Sequence, residues 1–363
     1  MKIYLVGGAV RDKLLGIIPK EKDWVVVNSN PNELLSLGYK QVGKKFPVFL
    51  HPETSEEYAL ARIEIKTNAG HKGFQFNTNE AVTLEQDLLR RDLTINAIAE
   101  DDNGTLIDPC DGIKDLEDRV IRHVSEAFSE DPLRIFRVAR FYSTLSSYNF
   151  KIHESTYKVM KQIVDSGEIE ELSKERLWGE LSKAFNTDSP WMFFEVLISA
   201  GAAHKYFPEL VDNKLIENKI QYFSKADIEK NIFLSIVGFS IEFIESFGFP
   251  KKIIDLYFLF NEFITKFINL ELEEKSILNF LNSIDAFRRP ERLKVFLKQT
   301  NYFLEFHKMK EFKKINILLN INNIIENKIE YGDLTNKSIE DIKKDIEKIN
   351  INIIRLVLKK EDN

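Results

Sequence analysis

Two acidic residues near the N-terminus have a spacing suited to metal chemistry. In the segment EKDWVVV, Glu21 and Asp23 alternate along an incipient strand, so their side chains are expected on the same side. Two carboxylates on one face can hold a pair of Mg²⁺ ions, which bridge nucleotide phosphates, activate an attacking 3′-hydroxyl and stabilise a pyrophosphate leaving group. The alternative is a solvated strand edge, where acidic pairs are common.

A glycine pair precedes these carboxylates. The sequence LVGGAVRDKLLG places Gly7 and Gly8 between a predicted strand and a predicted helix that begins near Ala9. Glycine lets the backbone approach a ligand closely, and the exposed N–H groups of a helix start favour an anion such as a triphosphate. A glycine pair at this position is also typical of an ordinary strand-to-helix turn.

Further along the chain, an acidic residue lies close in sequence to a basic one. Asp131 and Arg134 are three positions apart, hence neighbours on one face of a predicted helix. Cytosine and adenine present an amino donor beside a ring-nitrogen acceptor, whereas uracil and guanine present a carbonyl beside a ring N–H. A carboxylate beside a guanidinium matches only the first pattern, and each mismatched bond costs roughly 1–3 kcal/mol.

This pair can therefore accept CTP and ATP and reject UTP and GTP without a nucleic acid template. In that interpretation Glu130 helps to position Arg134. The alternative is an intrahelical salt bridge between Asp131 and Arg134, which the same spacing would also produce.

Four ordered motifs resemble those of a known family. GGAVRD followed by the carboxylate pair is similar to the head of the DNA polymerase beta nucleotidyltransferase superfamily. RRDLTINA at 90–97, IDPCDGIKDL at 107–116 and SEDPLRIFRVARF at 129–141 resemble further motifs of the class II, bacterial-type tRNA nucleotidyltransferases, the CCA-adding enzymes. The resemblance extends through about residue 210 and returns near NSIDAFRRPERL at 282–293.

The resemblance implies a function and a site. It predicts that the chain adds or repairs the 3′-terminal CCA of tRNA from CTP and ATP, with Mg²⁺ as the cofactor. Glu21 and Asp23 are then the catalytic residues and metal ligands, and Asp131 and Arg134 read the base. The other predicted nucleotide-binding residues are Gly7, Gly8 and Arg11 beside the triphosphate, Arg90, Arg91, Asp92 and Asn96 around the sugar, and Arg137 and Arg140 on the template helix.

Three features bear on how far the resemblance holds. The family writes its metal pair as Asp-x-Asp, whereas this chain has glutamate at Glu21, whose longer side chain shifts the carboxylate in a site with strict geometry. None of the six histidines is followed by aspartate, so we expect no HD phosphohydrolase site. The polar segment 64–76, with Gly70 and Gly73, resembles the family's flexible loop, whose presence favours full CCA or A addition. The alternative is that this segment is a plain surface loop.

The elements that must position these residues change in type along the chain. Short apolar strands at 2–6, 24–27, 47–50 and 57–61 alternate with helical patterns at 8–15 and 84–99. From 126 to about 210 the apolar spacing is helical, with breaks at Gly167, 188–190, Gly201 and Pro208. We therefore predict an α/β nucleotidyltransferase head with a mixed sheet at 1–122, an all-α neck at 123–210 and an all-α body and tail at 211–363.

Composition narrows the classes of protein. A net charge of −6 argues against a protein that coats nucleic acid nonspecifically, although Arg134, Arg137 and Arg140 begin a local basic run suited to a tRNA acceptor end. The chain has a single cysteine, Cys110, which excludes an internal disulfide framework and fits a reducing cytoplasm. No secretory leader and no run of about 18 apolar residues is apparent, so a membrane location is not expected.

Two other functions remain open from the sequence. A poly(A) polymerase would share the head and the metals, but such enzymes usually carry a strongly basic tail. A noncatalytic RNA-binding descendant is the second alternative, and the glutamate at Glu21 is what suggests it. The sequence does not separate CCA addition from A-only addition, and it does not give the oligomeric state.

Overall fold

A computed structural model describes residues 1–42, 48–66, 74–77, 81–187, 189–212, 214–223, 228–327 and 338–361. The chain forms two compact units, Met1–Lys214 and Leu215–Asn363. The sequence places a boundary near residue 210, close to this division. The predicted head and neck lie together in the first unit, so their separation near residue 122 stays a prediction.

The strands lie in the first unit. They are β1 (Lys2–Val6), β2 (Asp23–Val27), β3 (Lys40–Val42), β4 (Val48–Leu50), β5 (Glu57–Leu60), β6 (Ile63–Lys66), β7 (Phe74–Asn77), β8 (Ala99–Glu100), β9 (Leu106–Ile107), β10 (Val120–Ile121) and β11 (Lys151–Ile152). Seven of them form one sheet in the order β3-β4-β5-β2-β1-β8-β9, in which β2 is antiparallel to β1 and parallel to β5. Pairs β6–β7 (antiparallel) and β10–β11 (parallel) form two small sheets.

The central strand β2 is apolar without alternation because both of its faces are covered. Val26 packs with Leu34 and Phe49 on one face. On the other face, Val25 and Val27 pack in a cluster with Leu88. A strand buried on both faces reads as a continuous apolar run. The predicted mixed-sheet head is confirmed.

The helices of the first unit surround the sheet and continue beyond it. They are α1 (Gly8–Leu14), α2 (Pro31–Ser36), α3 (Leu84–Leu89), α4 (Gly112–Glu117), α5 (Leu133–Leu145), α6 (Glu154–Asp165), α7 (Lys174–Ala184), α8 (Trp191–Ser199), α9 (Ala203–Tyr206) and α10 (Pro208–Asp212). Helix α5 packs against both α7 and α8, and the ring of Phe136 on α5 contacts Phe193 on α8 and Tyr206 on α9. The predicted helical segment after the head is confirmed.

The structure departs from the predicted elements in three places. The helix expected over 84–99 ends at Leu89 and is followed by a 3₁₀ turn at Thr94–Asn96, because the Asp92 carboxylate accepts from the next main-chain N–H at 2.9 Å and so competes with helical bonding. In the segment predicted as a loop over 64–76, the described residues form β6 and β7; Gly70 and Gly73 lie outside the described residues. A short strand, β11, interrupts the stretch predicted as helical over 126–210.

The second unit is helical throughout its described residues, as predicted. Its helices are α11 (Lys214–Phe223), α12 (Lys230–Ile236), α13 (Ile241–Phe247), α14 (Lys251–Ile268), α15 (Glu274–Ser283), α16 (Pro290–His307), α17 (Phe312–Glu326) and α18 (Ile339–Glu361). Its core is rich in phenylalanine: Phe263, Phe267, Phe280 and Phe296 are buried and in ring contact. Across the described parts of the chain, every helix is too short or too polar to cross a membrane.

Candidate active site

The sheet brings the glycine turn next to the acidic pair. The last residue of β1, Val6, pairs in register with Asp23, the first residue of β2. Gly7 follows with φ +72°, and its N–H donates to the Ile98 carbonyl at 3.2 Å. A Cβ atom built on Gly7 would lie 3.0 Å from Arg91 Nη1. Glycine is needed here both for the positive φ and for the close approach of that arginine.

The two carboxylates lie on the same side of the molecule, but not as residues of one strand. Asp23 begins β2, whereas Glu21 lies in a bend before it, so the predicted strand alternation does not apply to this pair. Burial raises the pKa of Asp23 above its usual range, the charge of Arg91 opposes that shift, and the negative charge of Glu21 adds to it. The two carboxylates are therefore close enough to repel each other.

This arrangement fits a divalent cation. Bringing two carboxylates together is unfavourable unless a positive charge lies between them, and hard cations such as Mg²⁺ prefer oxygen ligands. Within the described residues there is no cluster of three or more His, Cys, Asp or Glu side chains arranged to hold a metal. Glu21 and Asp23 would supply two ligands, and phosphate oxygens and water would complete the coordination, as is common for Mg²⁺.

The RRD segment forms a network that is more buried than the sequence indicates. Asp92 is only 6% exposed; its Oδ2 accepts from Arg137 Nε at 2.6 Å, and its Oδ1 accepts from Asn96 Nδ2 at 3.4 Å. Burial alone would raise the pKa of Asp92, but the charge and hydrogen bond of Arg137 outweigh burial and hold the pKa well below its usual range. The neighbouring arginine Arg91 pairs with Asp87 at 3.1 Å.

The IDPCDGIKDL segment packs against the 3₁₀ turn at Thr94–Asn96. Both carboxylate oxygens of Asp108 accept main-chain N–H groups at the start of α4, from Gly112 and the next residue, each at 2.8 Å. The buried Asp115 accepts from Thr94 Oγ1 at 2.7 Å and from Arg122 Nε at 3.0 Å. A Cβ atom on Gly112 would lie 2.2 Å from the Thr94 carbonyl oxygen. The segment therefore acts by packing against the turn that carries Asn96.

Asp131 precedes the template helix instead of lying on it. It has extended backbone angles, and α5 begins two residues later, so the predicted i, i+3 relation within a helix is wrong. Its Oδ2 accepts from Arg176 Nη2 at 2.7 Å, which links the start of α5 to α7. The alternative of a salt bridge along one helix face loses its basis, since only Arg134 is helical.

The guanidinium of Arg134 is fixed by main-chain acceptors. Its Nη1 donates to the Ala127 carbonyl at 2.7 Å and its Nη2 to the Arg90 carbonyl at 2.8 Å, and the residue is buried. These carbonyls position Arg134, and the role of Glu130 stays a prediction. The contact with Arg90 ties the template helix to the RRD segment.

One cleft of about 1040 Å³ collects these groups, all within the first unit. It is at the upper end of the volumes typical of small-molecule sites, roughly 300–1,000 Å³. Ten basic and seven acidic side chains line it, so the cleft is locally basic in an acidic chain. All thirteen residues predicted from the sequence line this cleft: Gly7, Gly8, Arg11, Glu21, Asp23, Arg90, Arg91, Asp92, Asn96, Asp131, Arg134, Arg137 and Arg140.

Sequence reasoning missed several residues of the cleft. Asp87 lies three and four positions before the two arginines that follow α3, a spacing that predicts the observed ion pairs. Arg176 is not among the residues predicted for the site, and its ion pair with Asp131 brings it into the cleft. Lys183 and Phe141 also line it; Phe141 is the last residue of the motif at 129–141, but that motif was interpreted only through its acidic and basic side chains.

Comparisons with known proteins agree with the geometry. Residues 3–122 match a family described as "Poly A polymerase head domain", and residues 149–213 match "Probable RNA and SrmB- binding site of polymerase A". A CCA-adding enzyme of Coxiella burnetii is 46% identical over 311 residues, covering 82% of this chain and 80% of that protein. A multifunctional CCA protein of Teredinibacter turnerae is 57% identical over 210 residues, covering 58% of this chain and 51% of that protein.

Solved structures show the same fold at lower identity. The CCA-adding enzyme of Bacillus stearothermophilus in complex with CTP is 22% identical with a TM-score of 0.65, covering 99% of this chain and 93% of the other. The Thermotoga maritima CCA-adding enzyme complexed with tRNA is 21% identical with a TM-score of 0.62, covering 99% and 91%. The family predicted from the four motifs is confirmed: the chain belongs to the CCA-adding enzymes, which are tRNA nucleotidyltransferases.

Proposed function

We propose that the cleft adds or repairs the 3′-terminal CCA of tRNA from CTP and ATP, releasing pyrophosphate, without a nucleic acid template. The observation that carries the proposal is that the carboxylates Glu21 and Asp23 line the same cleft as Asp131 and Arg134. We propose that a nucleotide whose base meets Asp131 and Arg134 directs its phosphates toward Glu21 and Asp23. The glycine turn lies beside these carboxylates because Val6 pairs with Asp23.

The carboxylates are proposed to hold the metal. Enzymes of this family generally use a divalent metal, and we propose Mg²⁺ for this chain, bound by Glu21 and Asp23. When bound, the ion would neutralise phosphate charge and make the 3′-hydroxyl of the tRNA a better nucleophile. The raised pKa of Asp23 is consistent with a carboxylate that exchanges a proton for a cation.

The phosphate and sugar contacts are proposed from the two glycines and the RRD segment. Gly7 and Gly8 allow the main chain to approach the triphosphate, and Arg11 supplies positive charge from α1. Arg91 lies against this turn, since a Cβ atom on Gly7 would be 3.0 Å from its Nη1, and Arg90 lines the same cleft. Because Asp92 and Asn96 are already hydrogen-bonded to each other and the Asp92 carboxylate to Arg137, they would meet the ribose hydroxyls as a fixed pair.

Base selection is proposed to depend on Asp131 and Arg134. Each carboxylate oxygen can accept more than one hydrogen bond, so the contact from Arg176 to Asp131 leaves room for the amino group of cytosine or adenine. Arg134 carries five N–H donors, and we propose that its guanidinium, oriented by the two main-chain carbonyls, donates to the ring nitrogen of the base. The carbonyl contacts would orient the guanidinium before the nucleotide arrives, which reduces the ordering cost of binding.

The test is incorporation of labelled nucleotide into tRNA that lacks its terminal CCA. We expect two C residues from CTP alone, negligible addition from ATP alone, and a complete CCA from both. Long A tails without C would instead support the poly(A) polymerase alternative, which the description of the matching head family suggests. Loss of incorporation in Asp23→Ala, with an unchanged fold, would exclude the noncatalytic alternative, whereas equal incorporation in that variant would contradict the proposed metal site.

We also propose that the basic run on α5 and α7 contacts the tRNA acceptor end, and that the protein works in the cytoplasm, where tRNA is found. Arg140 and Lys183 line the cleft on these two helices, and α5 packs against α7. The free thiol of Cys110 is consistent with this location. Binding of tRNA that weakens with rising salt would support the first proposal.

A further inference from the structure

Three arginines of the cleft surround one aromatic ring. The guanidinium carbon of Arg140 lies 4.0 Å from the centroid of the Phe141 ring, that of Arg11 lies 5.3 Å away and that of Arg137 lies 5.6 Å away. Phe141 is 8% exposed and still lines the cleft. Arg11 comes from α1 beside the glycine turn, whereas the other two come from α5, so the ring collects cations from two separate elements.

Each arginine has a second contact that fixes its other side. Arg11 Nη1 donates to Asn96 Oδ1 at 2.8 Å, and Arg140 Nε donates to Glu180 Oε2 at 2.5 Å. The contact between Arg137 and Asp92, described above, completes the set. Because Asn96 and Asp92 are also hydrogen-bonded to each other, contacts run from the Phe141 ring through Arg11, Asn96, Asp92 and Arg137 and back to the ring.

A phenyl ring suits this position better than a carboxylate would. Like charges gathered in a small volume repel each other, and something must offset that repulsion. The ring face attracts a guanidinium through its quadrupole without neutralising it and without accepting its N–H groups. A carboxylate in place of Phe141 would remove positive charge and occupy donors that a phosphate needs. The ring therefore keeps the arginines gathered and oriented without adding to the negative charge of Asp12, Asp92 and Glu180, which already face them.

We propose that Phe141 is a positioning residue for nucleotide binding, which holds Arg11, Arg137 and Arg140 toward the phosphates and sugar. This inference rests on the proposed roles of those arginines. The site requires the aromatic face of Phe141 and not merely the volume of its side chain.

The test compares an aliphatic and an aromatic replacement. In Phe141→Leu we expect the KM for CTP and for ATP to rise about 10-fold, equivalent to about 1.4 kcal/mol, with kcat changed less than about 2-fold. Phe141→Tyr keeps the ring face and should stay within about 2-fold of the wild-type KM. Equilibrium dissociation constants for CTP in the presence of Mg²⁺, measured by calorimetry, should change in parallel.

Phe136→Leu is the matched control, since it makes the same change on the same helix. The Phe136 ring is 1% exposed and contacts Phe193 and Tyr206. We expect that variant to lose stability while its KM stays near wild type. A wild-type KM in Phe141→Leu, or an equal rise in Phe136→Leu, would overturn the inference. If the wild-type protein itself adds neither C nor A to tRNA, the proposed function fails instead, so the two failures are distinguishable.

Discussion

Replacing Asp92 with asparagine should destabilise the first unit measurably. The change keeps the size of the side chain and leaves an oxygen that can accept from the next main-chain N–H, as Asp92 Oδ1 does at 2.9 Å. It removes the negative charge that Arg137 faces at 2.6 Å. That charge is also the first cause of the raised pKa of Arg137, so the guanidinium loses its strongest partner.

The magnitude follows from burial and from the remaining partners. Removing one member of a buried ion pair typically costs about 3–5 kcal/mol, because the other charge is left desolvated. Here the Arg137 side chain is 35% exposed, and Glu180 lies 3.9 Å from its Nη1. Water and that second carboxylate recover part of the loss. We therefore expect Asp92→Asn to lower the free energy of unfolding by about 2–3 kcal/mol at pH 7.

The pH dependence has a definite sign. A carboxyl with a depressed pKa in the folded state contributes stability that is fully present above its unfolded pKa, about 3.9. That contribution is lost as the pH falls from this value toward the folded pKa. The difference between wild type and Asp92→Asn should therefore be constant above about pH 5 and shrink below about pH 4.

Urea unfolding followed by tryptophan fluorescence measures the free energy of unfolding of the first unit. All three tryptophans, Trp24, Trp178 and Trp191, lie in the first unit, so the signal does not report the second. The exposed pair between Glu154 and Lys158 provides a control, and Glu154→Gln should leave the midpoint unchanged. Equal midpoints for wild type and Asp92→Asn at pH 7, or a gap that does not shrink as the pH falls below 4, would refute the reasoning.

Three further predictions concern packing, specificity and pH. Gly112→Ala should cost about 3 kcal/mol in chemical unfolding, because its Cβ would meet a main-chain oxygen at 2.2 Å, whereas Gly179→Ala, in open space on a helix, should not destabilise. Arg176→Ala should raise misincorporation of UTP in single-nucleotide assays, since Asp131 loses the donor that fixes its carboxylate; unchanged discrimination would contradict this. Because burial raises the pKa of Asp23, activity should fall on the acid side above pH 3.8, and added Mg²⁺ should shift that fall to lower pH; a fall independent of Mg²⁺ would argue against the metal site.

The sequence predicts which residues share the cleft better than it predicts how they are held. Apolar runs gave the central strands because β1 and β2 carry continuous or alternating patterns with turn signals at their ends. The resemblance of the motifs at 90–97 and 129–141 to those of one family implied that Asp92 and Arg134 share a site, and both line the cleft. Both predictions depend on local patterns of residues.

What the sequence does not give are contacts between distant segments. The partner of Asp131 is Arg176, 45 positions away, and nothing local selects it over Arg134, which is three positions away and helical. The end of α3 at Leu89 depends in the same way on a buried carboxylate that is paired across the fold. Secondary-structure patterns carry no information about such pairings, which tertiary packing decides.

The short strand pair β10–β11 joins residues on either side of position 122, where the match to the head family ends. A fragment that stopped there would leave the edge of β10 without its neighbour and the acidic group of Asp92 enclosed without a counter-charge. Residues 1–122 are therefore not expected to fold as an independent domain. Any fusion, truncation or chimera should therefore keep residues 1–152 together, so that both α5 and β11 stay with the head.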